Sequence, residues 1–299
     1  GLIISNVSIN KAAYTEVYAN TPNYDPNLFA VDNVGLFQKV LAGANVYNFK
    51  ITNFNAEGTY SNFGTIAGEN WGTIERIEIK DAYLSVDSLN LGGIVGKNIS
   101  SDEGEDDTYV RHIARIDRCS ANIIAGKRNK LVDGEQKELI NGVTGTVGGL
   151  VGNNIGGTIV YSYAKGEVAF NDDASAKVIY GGLVGINEYA TLTKFAGSYT
   201  TKLQGGNLKD CYADIKTIFA TNHTNTNSRY AGAIGKNIDV NVKAYEDKTN
   251  EDVVNNYLIG LYYNKEALND AQAGIDKGFV GMAEFNYGTG TIKMADKQM

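Results

Sequence analysis

Proline is nearly absent from this 299-residue chain, with two residues against 35 glycines. Methionine is used three times, tryptophan once, histidine twice and cysteine twice. Stretches of Leu, Ala, Glu and Lys at helical spacing are missing, which argues against helical layers. The two histidines, His112 and His223, lie far apart in sequence. No H-E-x-x-H pair exists to hold a catalytic zinc. No G-x-S-x-G elbow occurs, and no glycine loop is followed by the Lys-Ser/Thr that a phosphate-binding loop needs. No run is apolar over the roughly 18 residues of a membrane helix. The start, GLIISNVSIN, lacks a positive leader and a cleavage site, and the end, IKMADKQM, carries no anchor, so the chain reads as a mature or trimmed segment. Twenty-seven Lys and Arg against 34 Asp and Glu leave a net charge of −7. With no cationic cluster, the charge excludes a nucleic-acid grip.

What is abundant is glycine, tyrosine and the β-branched residues, the composition of an all-β protein. Two short patterns alternate along the whole sequence. One is an apolar triplet spaced three and then two residues. Its copies are Ile4/Val7/Ile9, Val46/Phe49/Ile51, Ile74/Ile77/Ile79, Ile116/Cys119/Ala121, Ile159/Ser162/Ala164, Leu208/Cys211/Ala213 and Leu258/Leu261/Tyr263. The other is a glycine-flanked hydrophobic step at residues 35–38, 65–68, 93–96, 149–152, 182–185, 232–235 and 278–281. Neither occurs out of turn. Strict alternation signals one unit stacked on itself. The expectation is a single domain over 1–299, a right-handed parallel β-solenoid of about seven coils with about 30 residues in a basic coil.

In residues 147–169 the step Leu150-Val151 precedes an expected turn at Asn153-Asn154 and Gly156-Gly157. A strand then alternates small inward Ser162 and Ala164 with outward Tyr161, Tyr163 and Lys165. Spacing between patterns varies, so the excess must leave the stack as insertions. Residues 100–108 are acidic, and residues 127–139 carry mixed charge. Residues 190–206 and 239–252 have the alternation of extra hairpins, and residues 20–27 hold both prolines. An Asn follows the step in five repeats, at Asn70, Asn98, Asn154, Asn187 and Asn237, with Val40 and Ala283 in its place at the ends. Equivalent Asn side chains on strands about 4.8 Å apart can form an amide ladder, and Asn also suits turns. Cys119 and Cys211 fall in one column with Ser162 between. Two steps of that spacing is about 9.6 Å, beyond disulfide reach, so both are expected as free thiols in the core.

GGIVGKN (92–98), GGLVGNN (148–154), GGLVGIN (181–187) and AGAIGKN (231–237) resemble the GLUG motif. VGNNIGGTIVYSYAKGEV (151–168) is similar to its fuller pattern, whereas the steps at 35–38, 65–68 and 278–281 are degenerate. The resemblance spans essentially the whole chain. It implies a bacterial secreted or surface protein, adhesin-like or a non-catalytic part of a larger one, with no catalytic residues in the repeats.

Candidate sites are therefore sparse. The acidic loop Asp102, Glu103, Glu105, Asp106 and Asp107 has the oxygen donors for Ca²⁺ but not the spacing of an EF-hand loop. Asp106/Asp107 and Asp172/Asp173 are carboxylate pairs, but neighbours in a strand face opposite ways, which spoils both as acid–base dyads. Tyr161, Tyr163 and Tyr212 are the candidate ligand-binding residues, because Tyr163 and Tyr212 align one coil apart as a sugar-stacking row. The function expected is an extracellular or cell-surface adhesin, stalk or binding module, without cofactor or catalysis. Its expected partners are a host glycan or a surface protein. The alternative is a polysaccharide lyase or glycoside hydrolase, which a cluster of two carboxylates and a Lys or Arg on one face would favour.

Overall fold

The computed structural model describes residues 1–10, 33–103, 110–132, 135–140, 142–170, 177–196, 198–219, 228–240, 256, 258–263 and 280–286. Every regular element among them is a β-strand. Strands of successive repeats pair in parallel and form two sheets, of 13 and seven strands. Within the described residues no helix is long and apolar enough to cross a membrane.

The larger sheet carries the triplets. Val46, Phe49 and Ile51 sit opposite Ile74, Ile77 and Ile79. Ile116, Ile159, Leu208 and Leu258 continue the first column, each paired with the next. Ala121, Ala164, Ala213 and Tyr263 continue the third. The first repeat departs from the expected alignment. Ile4, Val7 and Ile9 stack on Ile51, Phe54 and Ala56, five residues further along the strand Asn45–Gly64. That strand repeats the same spacing of three and two, so the shifted register still buries apolar on apolar.

The spacing of three marks a corner. A pure strand points every second residue inward, so a gap of three needs one residue that turns the chain. Asn48, Arg76, Arg118, Tyr161 and Asp210 all have φ between 51° and 60°, and Gly260 follows at 62°. Each lies directly before the middle triplet residue. A second corner, at Asn6, Asn53 and Asp81, bends the first repeats again. In the strand Ser120–Ala125 the register slips between Ala121 and Ile123, and this second corner is lost. The strands Asn45–Gly64 and Thr73–Gly92 thus run continuously through their bends, and later repeats break into shorter strands against them. This is why one sheet accumulates 13 strands.

The smaller sheet carries the glycine steps in register, from Phe37–Val40 to Val280–Asn286. The described step glycines lie outside the left-handed region, so close approach is what selects them. A Cβ on Gly149 would overlap the carbonyl of Gly182 and the side chains of Ile215 and Ala164. One on Gly152 would press on the backbone of Asn90, Leu91 and Gly96 in the repeat before it. Here the two sheets meet backbone to backbone. Away from this edge the interior is filled by one continuous apolar cluster.

Asn70, Asn98, Asn154, Asn187 and Asn237 are fully buried and form the expected ladder. Each donates through Nδ2 to the next Oδ1 at 2.7–2.9 Å. Asn256 closes the row with its own bond to Asn237 Oδ1, at 3.0 Å. The paired residues at the ends are Val40 and Ala283, as the spacing implies. Asn153 and Asn154 lie inside the strand Val151–Ile155, so the turn falls to Gly156 (φ 64°) and not to the asparagines. A second, shorter row runs from Asn90 through Asn62 to Asn33 at 2.7–2.8 Å.

The described insertions form antiparallel strand pairs. Ala190–Ala196 pairs antiparallel with Ser198–Gln204, as expected. The mixed-charge segment is also one, Lys127–Val132 against Glu135–Ile140, and the acidic loop is flanked by the pair Ser101–Glu103 and Val110–His112. The expected hairpin at 239–252 and the prolines at 22 and 26 lie outside the described residues, apart from the end of the strand Ile234–Val240.

Candidate functional site

The residue after the buried middle triplet position must face outward. Tyr163, Tyr212 and Tyr262 hold that position in three successive repeats and pair in register. Tyr163 is 41% exposed, and Tyr212 and Tyr262 are half-buried. The same row begins with exposed Ile3 and continues through Lys50, Glu78 and the buried Ser120 before it becomes aromatic. Tyr161 stands at a left-handed corner beside this row and is 51% exposed. Lys165 Nζ lies 5.4 Å from the Tyr163 ring and Lys209 Nζ 5.9 Å from the Tyr161 ring. Both are within cation–π range. Burial, then the neighbouring Asp214 carboxylate and its hydrogen bond, push the Tyr212 phenol above its usual range. The structure therefore brings Tyr161, Tyr163 and Tyr212 together, and it adds Tyr262, which follows the middle triplet residue Leu261 as Tyr163 follows Ser162 but was not singled out in the sequence.

The corner column next to the tyrosines is ionic. Asp117 is 4% exposed and takes bonds from Arg115 (3.0 Å) and Arg118 (3.0 and 3.1 Å). Arg118 also reaches Glu75 at 3.6 Å, and Arg76 pairs with Glu75. Burial alone would raise the Asp117 carboxyl, but the two guanidiniums outweigh it and hold it below the usual carboxylate range. This cluster fixes the corner of two adjacent repeats.

The thiols are where the columns put them. Cys119 and Cys211 are buried and free. Ser162 lies between, accepting a bond from Cys119 N at 3.1 Å. Burial pushes both thiols up to about 12, so neither is a nucleophile at neutral pH.

A groove of about 500 Å³ opens on another part of the exterior. Its floor is one outward row, Ser8, Asn55, Tyr83, Ile124 and Glu167, paired strand to strand. A second row, Asn10, Glu57 and Ser85, flanks it. Lys127, at the root of its hairpin, lies beside them and binds Glu167 at 2.6 Å. Sequence reasoning missed this site. Its one signal was the alternation of polar residues and Tyr83 with buried Ala82, Leu84 and Val86.

Asp102 and Glu103 lie on a short strand, but their side chains are outside the described residues, as are Glu105, Asp106, Asp107, Asp172, Asp173 and His223. Among the described residues no three His, Cys, Asp or Glu side chains converge as a metal site. His112 is half-buried, with its ring beside Gly43. No protein-family model matches the chain, and no curated protein is similar to it.

Proposed function

We propose that the two parallel sheets are faces of one right-handed β-solenoid of about seven coils, a GLUG-type repeat domain. It serves as a rigid, non-catalytic binding or stalk module of a bacterial surface protein. The in-register row Tyr163–Tyr212–Tyr262 supports this reading most directly. Inward positions are spent on stacking, while this outward row sets aromatic rings at about 4.8 Å intervals on a fixed backbone. Such a row presents amphipathic area with little ordering cost, which suits a host glycan or a surface protein. The module acts outside the cell, and a larger surface protein would carry it. A glycan array, followed by the Tyr163→Ala/Tyr212→Ala double variant, tests the reading. Binding by the wild type and about tenfold loss in the variant are expected. A blank array, with no binding to surface proteins in a pull-down, refutes it.

The groove gives the enzymatic alternative its one supporting observation, because Glu57, Glu167 and Lys127 share a face there. Glu57 and Glu167 are three strands and two residues apart, so their backbones stand about 16 Å from one another. Glycosidase carboxyls lie roughly 5–9.5 Å apart, so both side chains would have to lean inward. Glu167 is instead held by Lys127. Binding without cleavage is the better account. Release of reducing ends or unsaturated sugars by the wild-type protein would reverse that preference.

A further inference from the structure

We infer that the groove over Asn55 and Tyr83 is a saccharide-binding site, separate from the tyrosine row. This inference rests on the proposal that the protein binds glycans through its exterior. The groove crosses the outward residues of four neighbouring strands and Ser8 beyond them, so it runs along the stacking direction for about 19 Å. Its 500 Å³ falls within the roughly 300–1,000 Å³ of small-molecule sites.

Most such sites are chiefly apolar. This one is lined by two amides (Asn10, Asn55), two hydroxyls (Ser8, Ser85), two carboxylates (Glu57, Glu167) and one ammonium (Lys127). Donors and acceptors are therefore interleaved along its length. A ligand that matches them must donate and accept at closely spaced points, which hydroxyl groups on a sugar ring do. Tyr83, 41% exposed midway along the floor, and Ile124 beside it supply an apolar strip for the C–H face of such a ring. Two carboxylates against one lysine disfavour a nucleic acid or another polyanion. The lack of a deep apolar pocket disfavours a peptide anchored by large side chains. Lys127 bridges the rim, binding Glu167 at 2.6 Å, and so fixes one wall before any ligand arrives.

The floor residues are suited to mutation. Asn55 and Tyr83 are exposed, and truncating them leaves the interior intact. Wild type, Asn55→Ala/Tyr83→Ala and Tyr163→Ala/Tyr212→Ala would be titrated with a panel of neutral and amino-sugar di- to tetrasaccharides, by calorimetry. Unchanged circular dichroism and unfolding midpoint would establish that each variant is folded. The inference expects about tenfold weaker binding in the groove variant, with at least one panel member still held by the tyrosine-row variant. Binding that the groove variant retains in full overturns the groove while leaving the general reading intact. A wild type that binds no member of the panel overturns the inference. A glycan array blank for the same protein would then take down the general reading as well.

Discussion

Replacing Asn154 by alanine removes the middle member of the amide ladder. Three bonds go at once: Asn98 Nδ2 to Asn154 Oδ1 (2.7 Å), Asn154 Nδ2 to Asn187 Oδ1 (2.7 Å), and Asn154 Nδ2 to the Gly157 carbonyl (3.0 Å). Their former partners remain buried, since Asn98 and Asn187 are both 0% exposed. An intramolecular hydrogen bond contributes about 1 kcal/mol net, and an orphaned buried partner costs more than the mean bond. The expected loss is about 3 kcal/mol, or about 6 °C in Tm for a domain of this size. Lys97, half-buried on the neighbouring strand opposite Asn153, serves as the control, and Lys97→Ala should cost under about 0.5 kcal/mol. Stacked repeats need not unfold as one unit. Hydrogen exchange is therefore the sharper assay, because protection should fall first in 151–155, the strand of Asn154, and in 95–99 and 184–188 on either side of it. A loss below about 1 kcal/mol, or exchange that rises uniformly, would refute the view that the ladder binds neighbouring repeats together.

Gly149→Ala should destabilise by about 3 kcal/mol or more, because its Cβ would overlap backbone as well as side chains, and urea unfolding reads this directly. Both thiols should be inert to a thiol reagent in the native protein, and both should react in denaturant without reductant; one or none would contradict the column reading. Their raised values have a pH consequence. The stability from burying the neutral thiols is complete below the unfolded value near 9 and is lost as pH rises toward 12, so unfolding midpoints should fall across that alkaline window and less so in Cys119→Ala/Cys211→Ala. Asp117 works in the opposite sense. Its value is lowered, so its contribution is present above the usual carboxylate range and is lost as pH falls through its depressed value; Asp117→Asn should flatten the acid limb of the stability profile.

The parallel stacking was legible because it depends on columns, and columns show in one dimension as period. Asn70 to Asn237 repeat at a position fixed by the glycine steps, and Cys119 with Ser162 and Cys211, and Tyr163 with Tyr212, at positions fixed by the apolar triplet. Strand Leu2–Asn10 was misplaced by five residues because Val46/Phe49/Ile51 and Ile51/Phe54/Ala56 are equally good partners in pattern. Only three-dimensional packing separates them. The hairpin Lys127–Ile140 was missed although Asp133-Gly134 sits between its strands, a dipeptide favoured in two-residue turns. Its mixed charge concealed the alternation. The groove was illegible for a different reason. Ser8, Asn55, Tyr83, Ile124 and Glu167 share no residue type, so nothing in the sequence announces that they form a row.

The left-handed corners are where the protein gives up stability in exchange for surface chemistry. An L-residue there costs roughly 1–2 kcal/mol that glycine does not, yet of six successive corners only the last, Gly260, takes the cheap option. Asn48 and Asp210 tolerate the conformation, whereas Arg76, Arg118 and Tyr161 do not favour it. Those three are the residues that carry the ionic cluster and the most exposed tyrosine of the aromatic face. The corner thus behaves as a vertex whose side chain points away from the stacked interior, since Asn48, Arg76, Arg118, Tyr161 and Asp210 are all exposed. Repeats of this design can diversify along one edge while the interior stays constant; setting Arg76 to glycine or asparagine would relieve its corner but give up the pair with Glu75.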